Sequence, residues 1–322
     1  MGGNGERRRW WRPLVAMIIV AGAFACVAQA GVASAAVIAA AGDIACDPAD
    51  AGYHGGLGTA KTCRQMYTSD LLVAATWDAL LPLGDNQYDC GGLLAFQQSY
   101  AASWGRVDPS IVRPVPGDGE YATSGGTDCS SAGDAAGYYS YFGSAAGSPG
   151  QGYYSYDVGD WHVIALNAEC SHVPCKKNSA QEKWLVADLQ AHTNLCTLVY
   201  WHQPHFSSAK GGGTSKVGQF WTDIYSHGAD IVLNGHAHIY ERFAPMDPTG
   251  AVDPFNGVRQ FTVGTGGKSH GKIATILPSS EARDVTTFGI LKLTLDPASY
   301  SWEFMPAAGT GTFTDSGSYP CH

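Results

Sequence analysis

The stretch Asn234-Gly235-His236-Ala237-His238-Ile239-Tyr240-Glu241-Arg242 decides how the chain is read. It follows Ala229-Asp230-Ile231-Val232-Leu233, an apolar run with the length and branching of a buried strand. In a strand, the i, i+2 pair His236 and His238 would share one face; on a turn opened by Gly235, both imidazoles can converge on one point. The pair alone leaves two readings open: metal ligands at a strand end, or polar loop histidines.

Four further apolar runs end in the same way. Val37-Ile38-Ala39-Ala40-Ala41 ends in Gly42-Asp43, and Ala79-Leu80-Leu81-Pro82-Leu83 ends in Gly84-Asp85-Asn86-Gln87-Tyr88. Ile111-Val112-Arg113-Pro114-Val115-Pro116 ends in Gly117-Asp118-Gly119-Glu120, and Thr197-Leu198-Val199-Tyr200 runs into Trp201-His202-Gln203-Pro204-His205. Five strand ends thus deliver Asp or His to one edge, the place where α/β sheets hold ligands.

Between these runs the periodicity predicts helices over 62–79, 91–104, 181–189 and 217–225, an order of parallel β-α-β units. Residues 121–160, rich in Gly, Ser, Ala and Tyr, read as a long ordered loop. It leads into a hairpin of 153–158 and 161–166 about Gly159-Asp160. Beyond Arg242 the helices cease, and 259–263, 288–295 and 300–305 read as antiparallel strands. The organisation is one α/β domain of two packed sheets flanked by helices.

A hydrophobic content of 45% over 322 residues is ample for a core, and a formal net charge of -9 argues against a nucleic-acid surface. Residues 1–35 read as a signal peptide, with Arg7-Arg8-Arg9 and Arg12 before an apolar core and small residues at the cleavage point. The mature domain would be 36–322, secreted, with no stable membrane insertion after signal removal. Removing Cys26 with the signal leaves Cys46, Cys63, Cys90, Cys129, Cys170, Cys175, Cys196 and Cys321, an even set that suits up to four disulfides. Cys170 and Cys175 are close enough for a local bridge, and the other pairings stay open. A zinc-cysteine site is disfavoured by the absence of any C-x-x-C pair.

Oxygen and nitrogen ligands without thiolates suit hard or borderline cations. Asp43, Asp85, Asp118, His202, His236 and His238 are too many for one ion, so two metals sharing a carboxylate fit better. The set resembles the calcineurin-like metallophosphoesterases and, within them, the purple acid phosphatases. That family runs D-x-[HG], GD-x-x-[YN], GN-H-[DE], H and GH-x-H along its chain. The blocks here are Gly42-Asp43-Ile44-Ala45, Gly84-Asp85-Asn86-Gln87-Tyr88, Gly117-Asp118-Gly119-Glu120, His202 and Gly235-His236-Ala237-His238. Gly264-Thr265-Gly266-Gly267 also resembles a glycine-rich loop near the family's site.

The resemblance implies a four-layer α-β-β-α sandwich of two mixed sheets flanked by helices. It implies two metal ions: Asp43, Asp85, Tyr88 and His238 on the first, and Asp85, Asp118, His202 and His236 on the second. Tyr88 stands three residues after Asp85, as in the purple acid phosphatases, and Ala45 replaces the histidine of the wider family. Fe(III) is therefore implied in the first site, with a divalent Zn, Fe or Mn in the second. A metal-bound hydroxide would then attack a phosphate ester.

Asp118-Gly119 departs from the family's Asn-His. A trivalent and a divalent ion against Asp43, Asp85, a Tyr88 phenolate and hydroxide leave one net positive charge, which Asp118 cancels. Gly119 lacks the imidazole that in the family assists the leaving group, a role worth roughly 10²- to 10⁴-fold. Impaired turnover is expected, with His205 as a candidate substitute and Asp118→Asn with Gly119→His as a restoring change. Phosphodiesterase activity and non-catalytic metal or phosphate binding are the alternatives. Glu241-Arg242 reads as a structural ion pair.

Overall fold

The computed structural model describes residues 1–6, 8, 10 and 35–322, and residues 35–322 fall within one compact unit. Most of the expected signal peptide, including residues 11–34 with its apolar core and cleavage point, lies outside the described residues. The chain runs β1 (Ala36–Ala41), α1 (Gln65–Val73), β2 (Ala79–Pro82), α2 (Leu93–Ala95), α3 (Asp118–Tyr121), α4 (Ala136–Phe142), β3 (Tyr154–Val158) and β4 (Trp161–Ala165). Then follow α5 (Ala180–Ala191), β5 (Cys196–Tyr200), α6 (Gly218–Ser226), β6 (Ile231–Asn234), β7 (Tyr240–Met246) and β8 (Val258–Val263). The last strands are β9 (Ser280–Asp284), β10 (Gly289–Asp296), β11 (Ser299–Pro306) and β12 (Ser316–Pro320).

One sheet has the order β12-β11-β10-β1-β2 and the other β3-β4-β5-β6-β8-β7-β9. Both are mixed: β1 is parallel to β2 and antiparallel to β10, and β4, β5, β6 and β8 run parallel with antiparallel strands at the edges. Strand alternation builds two cores. Leu198, Tyr200, Ile231 and Leu233 join Ile38, Leu81 and Leu291 between the sheets. Val199 and Val232, one residue out of phase, pack under Leu185, Leu189, Phe220 and Ile224 of α5 and α6. Strands covered on both faces read as continuous apolar runs, which is why β1, β5 and β6 stand out in the sequence.

Several expected elements change. The helix expected over 62–79 covers only Gln65–Val73, because Asp78 accepts the Val37 N–H at 2.7 Å and Ala79 has already entered β2. The helix expected over 91–104 begins at Leu93 and widens into a π-helical turn over Phe96–Tyr100. Ile111–Pro116 is not a strand: Val112 and Val115 make isolated parallel bridges to Leu80 and Leu83, and Pro114 and Pro116 cannot donate to a ladder. The segment 121–160 carries α4 rather than one loop. The strand at 259–263 pairs in parallel with β6 and antiparallel only with β7, which begins inside the opening stretch at Tyr240. The polar edge strands β9 and β12 had no apolar signal.

The eight cysteines among the described residues form disulfides: Cys46–Cys63, Cys90–Cys129, the expected local Cys170–Cys175, and Cys196–Cys321, which joins β5 of one sheet to the tail beyond β12 of the other.

Candidate metal centre

The ends of β1, β2, β5 and β6, with α3, carry the site. Asp43, Asp85, His236 and His238 have φ of 60°, 48°, 67° and 51°, left-handed values that cost non-glycine residues about 1–3 kcal/mol each. Those turns swing side chains off the strand axis toward a common point. Gly84, at φ 86°, lets the loop touch His202: a Cβ there would lie 2.5 Å from His202 Nδ1.

Tyr88 donates its hydroxyl to Asp43 Oδ1 at 2.7 Å and lies 3.0 Å from His238 Nε2, which is itself 3.0 Å from Asp43 Oδ1. On the other side His202 Nε2 lies 3.4 Å from Asp85 Oδ1 and 3.2 Å from Asp118 Oδ1. His236 Nδ1 is 3.0 Å from Asp118 Oδ1 and 3.3 Å from His202 Nε2. The seven residues expected as ligands therefore meet in two adjoining groups. Ligand atoms of Asp118, His202 and His236 lie within 4.8 Å of one another, as do those of Asp43, Asp85 and His202.

The donor set fits cations. His202 Nδ1 donates to the Leu83 carbonyl at 2.8 Å, which turns Nε2 into the group. His238 Nδ1 is likewise held by Ser269 Oγ at 2.8 Å, with Nε2 facing inward. Asp43 is fully buried, yet its Oδ2 has no hydrogen-bond partner in the protein. Among the described residues every cysteine is oxidised, so no thiolate competes there.

The charges show the same demand. Burial raises the Asp118 carboxyl, but His202 and His236 outweigh it and hold it below the usual carboxylate range. Burial lowers His202, and Asp85 and Asp118 overcome this and raise it. Burial, Asp43 and Asp85 together push the Tyr88 phenol up, a pressure that a bound cation would reverse.

Some residues were missed by sequence reading. Glu120 is fully buried and accepts the N–H groups of Asp85 (3.0 Å), Asn86 (2.8 Å), Gln87 (3.1 Å) and Gly117 (2.7 Å), clamping the loop of Asp85 to the loop of Asp118. Lys268 lies 4.9 Å over the Tyr88 ring and pairs with Asp89 at 2.8 Å. Glu169 is only 6% exposed and sits in the field of His202, Asp118, Asp85 and His236. Its signal was available: the run ending at Leu166 leads into Asn167-Ala168-Glu169, one more strand end with an acid.

Other expectations change. His205 Nδ1 donates to the Thr214 carbonyl at 2.8 Å and its ring packs on Phe206. Glu241 and Arg242 do not pair, because neighbours in a strand point to opposite faces. Glu241 accepts from Ser208 N and Ser280 Oγ, while Arg242 pairs with Asp315 and Glu281. At Gly119, whose N–H donates to Asp85 Oδ1 at 2.7 Å, a Cβ would lie 3.0 Å from that oxygen. Restoring an imidazole there requires Asp85 to give way. Gly264 lies against Asp43 and His238, placing the expected glycine-rich loop at the site.

No family model matches the sequence. Purple acid phosphatase 21 of Arabidopsis thaliana is 35% identical over 125 residues, covering 37% of this chain and 28% of that protein. Purple acid phosphatase 18 of the same plant is 33% identical over 132 residues, covering 39% and 29%. The chain thus spans under a third of the length of these relatives. Among solved structures, purple acid phosphatase PPD1 from yellow lupin (Lupinus luteus) seeds superposes with a TM-score of 0.72 at 20% identity, over 89% of this chain and 54% of that one. PhoD superposes at 0.57 with 14% identity, over 89% and 70%. The sequence likeness to purple acid phosphatases is confined to part of the chain, while the fold likeness to PPD1 reaches across nearly all of it, so the chain is similar to those phosphatases over that part and shares their fold.

Proposed function

We propose that the protein is an exported binuclear metal-dependent phosphatase acting on phosphomonoesters. The observation that carries this reading is the convergence of Asp43, Asp85, Tyr88, Asp118, His202, His236 and His238 with a buried carboxylate oxygen, Asp43 Oδ2, that no protein donor meets. Asp43, Asp85, Tyr88 and His238 would hold an Fe(III) ion; Asp85, Asp118, His202 and His236 would hold a divalent Zn, Fe or Mn ion. Bound cations supply charge neutralisation for the phosphate and lower the pKa of water. The chain's own part is positional. The Leu83 carbonyl fixes the His202 tautomer, Ser269 fixes the His238 ring, and Glu120 keeps the Asp85 and Asp118 loops in register. Export is supported by the four disulfides, which persist in an oxidising compartment.

A second reading, metal or phosphate binding without turnover, draws on the empty position at Gly119 and the extra charge of Asp118. Metal content, the visible spectrum and p-nitrophenyl phosphate turnover on one sample separate the two. Two metals with a tyrosinate-to-iron band and turnover support the phosphatase. Two metals without turnover on any ester support the second reading, and no bound metal refutes both.

A further inference from the structure

Glu169 has no structural use for its charge. Among the described residues it forms no ion pair, and its Oε1 lies out of contact with solvent with no hydrogen-bond partner. A carboxyl that is 94% buried and unpaired is costly, so a fold that keeps one at its functional edge invites a chemical explanation. Its position is held from three sides. The Glu169 N–H donates to Asn167 Oδ1 at 2.9 Å, and Asn167 Nδ2 donates to the Tyr121 hydroxyl at 2.9 Å, tying this loop to the helix that begins at Asp118. The Glu169 carbonyl accepts the N–H groups of His172 (2.8 Å) and Val173 (2.9 Å), closing the loop that the adjacent Cys170–Cys175 disulfide staples. His172 then stacks on Tyr121 with ring centroids 4.2 Å apart. The backbone is pinned while the carboxyl is left free, in the field of the imidazoles and carboxylates of the divalent side.

We propose that Glu169 is the general acid of this site, giving a proton to the leaving oxygen of a phosphate monoester where position 119 carries no side chain. This rests on the phosphatase reading and deepens it. As water forms the new bond to phosphorus, the ester P–O bond breaks and its electron pair passes to the leaving oxygen. That oxygen takes the Glu169 proton and departs as the alcohol, and the carboxylate recovers a proton from the one lost by the attacking water. The acid must be neutral before the reaction. In the metal-free protein burial, with Asp118 and Asp85 nearby, pushes its carboxyl up to about 7 against the pull of His202 and His236. A neutral acid also adds no charge to a site where Asp118 already opposes an anionic substrate.

The test is Glu169→Gln in the metal-loaded protein, assayed on two esters. Ethyl phosphate has a poor leaving group that needs a proton, and p-nitrophenyl phosphate has one that departs without it. Expected is a loss of roughly 10²-fold or more in kcat on the ethyl ester and a much smaller loss on the aryl ester, with metal content unchanged. A role confined to positioning would lower both alike, and equal losses, or none, overturn the inference. In the metal-free protein the infrared difference spectrum between wild type and Glu169→Gln should contain the carbonyl band of a neutral carboxylic acid below about pH 7, separate from that of Glu120, which both proteins keep; a difference spectrum without that band overturns it too. Wild-type protein that binds two metals and hydrolyses neither ester refutes the phosphatase reading itself, an outcome distinct from both.

Discussion

His162 on β4, with Asp188 and His192 at the end of α5, forms a second group of imidazoles and carboxylates remote from the strand-end cluster. Here His162 Nε2 lies 2.8 Å from Asp188 Oδ2 and Nδ1 lies 3.1 Å from Asp157 Oδ1, while Ser155 donates to Asp188 Oδ1 at 2.7 Å. His192 stacks on His162 with centroids 3.7 Å apart and turns Nδ1 to the Asp188 carbonyl at 2.8 Å. The protein completes this chemistry itself. At the strand ends Asp85 and Asp118 both press on His202, Asp43 Oδ2 has no donor, and four of the residues sit on left-handed backbone. Histidine beside aspartate does not mark a site. Acceptors that converge without enough donors, on backbone strained to aim them, do.

Exchanging one carboxylate for an amide in each group tests that distinction with the largest effect. Asp85 lies between the two halves of the strand-end cluster, so Asp85→Asn should lower metal affinity by more than the roughly 10- to 100-fold typical of groups that only support a ligand. Because it relieves crowding among Asp43, Asp85 and Asp118, it should not unfold the metal-free protein. Asp188→Asn should leave metal content untouched. Elemental analysis of both variants after equal metal loading decides the matter, and a loss of metal from Asp188→Asn would break the comparison.

Glu120 sharpens it from behind. Its carboxylate is satisfied by four backbone donors although it lies next to the unsatisfied front of the same site. Burial and the Asp85 charge raise its carboxyl, and the N–H groups of Gly117 and Gln87 oppose that rise. Glu120→Gln points an NH₂ at donors and leaves at least one N–H unpaired, about 1–3 kcal/mol for each. Thermal unfolding of the metal-free variant should show this loss. An unchanged midpoint would mean that the clamp contributes nothing.

Much of this was legible in the sequence because the parallel strands are buried on both faces and the ligands follow them within a few residues. Gly42-Asp43, Gly84-Asp85, His202 and Gly235-His236 each end an apolar run that the structure makes a strand. Asp118 was found for a partly wrong reason, since Ile111–Pro116 only lies alongside β2. Glu120, inside the short helix α3, was hidden because burial is a property of the fold; Glu169 follows an apolar run as the other acids do, and only its burial was out of reach of the sequence. His205 was read from its closeness in sequence to His202, and what the sequence did not show is that its ring packs against Phe206 and Trp221.

The smallest expected effect is the pH response of the completed group. Burial lowers the His162 imidazole, but Asp188 and Asp157 outweigh it and hold it above its ordinary 6.5. Burial raises Asp188, and His162 and Ser155 outweigh it and hold it below 3.8. A raised histidine contributes stability that is full below 6.5 and is lost as pH climbs through the folded value; a depressed aspartate contributes above 3.8 and loses it as pH falls. The pair should therefore stabilise most between about pH 4 and 6.5 and weaken at higher pH. Asp157 is 56% exposed and solvent screens its share, so most of the effect, about 1 kcal/mol, falls on Asp188. Urea unfolding of the metal-free wild type and Asp188→Asn at pH 6 and pH 9 should give curves that draw together at the higher pH. Parallel loss at both would show that His162 is held neutral, and that the group which looks complete is held by packing rather than by charge.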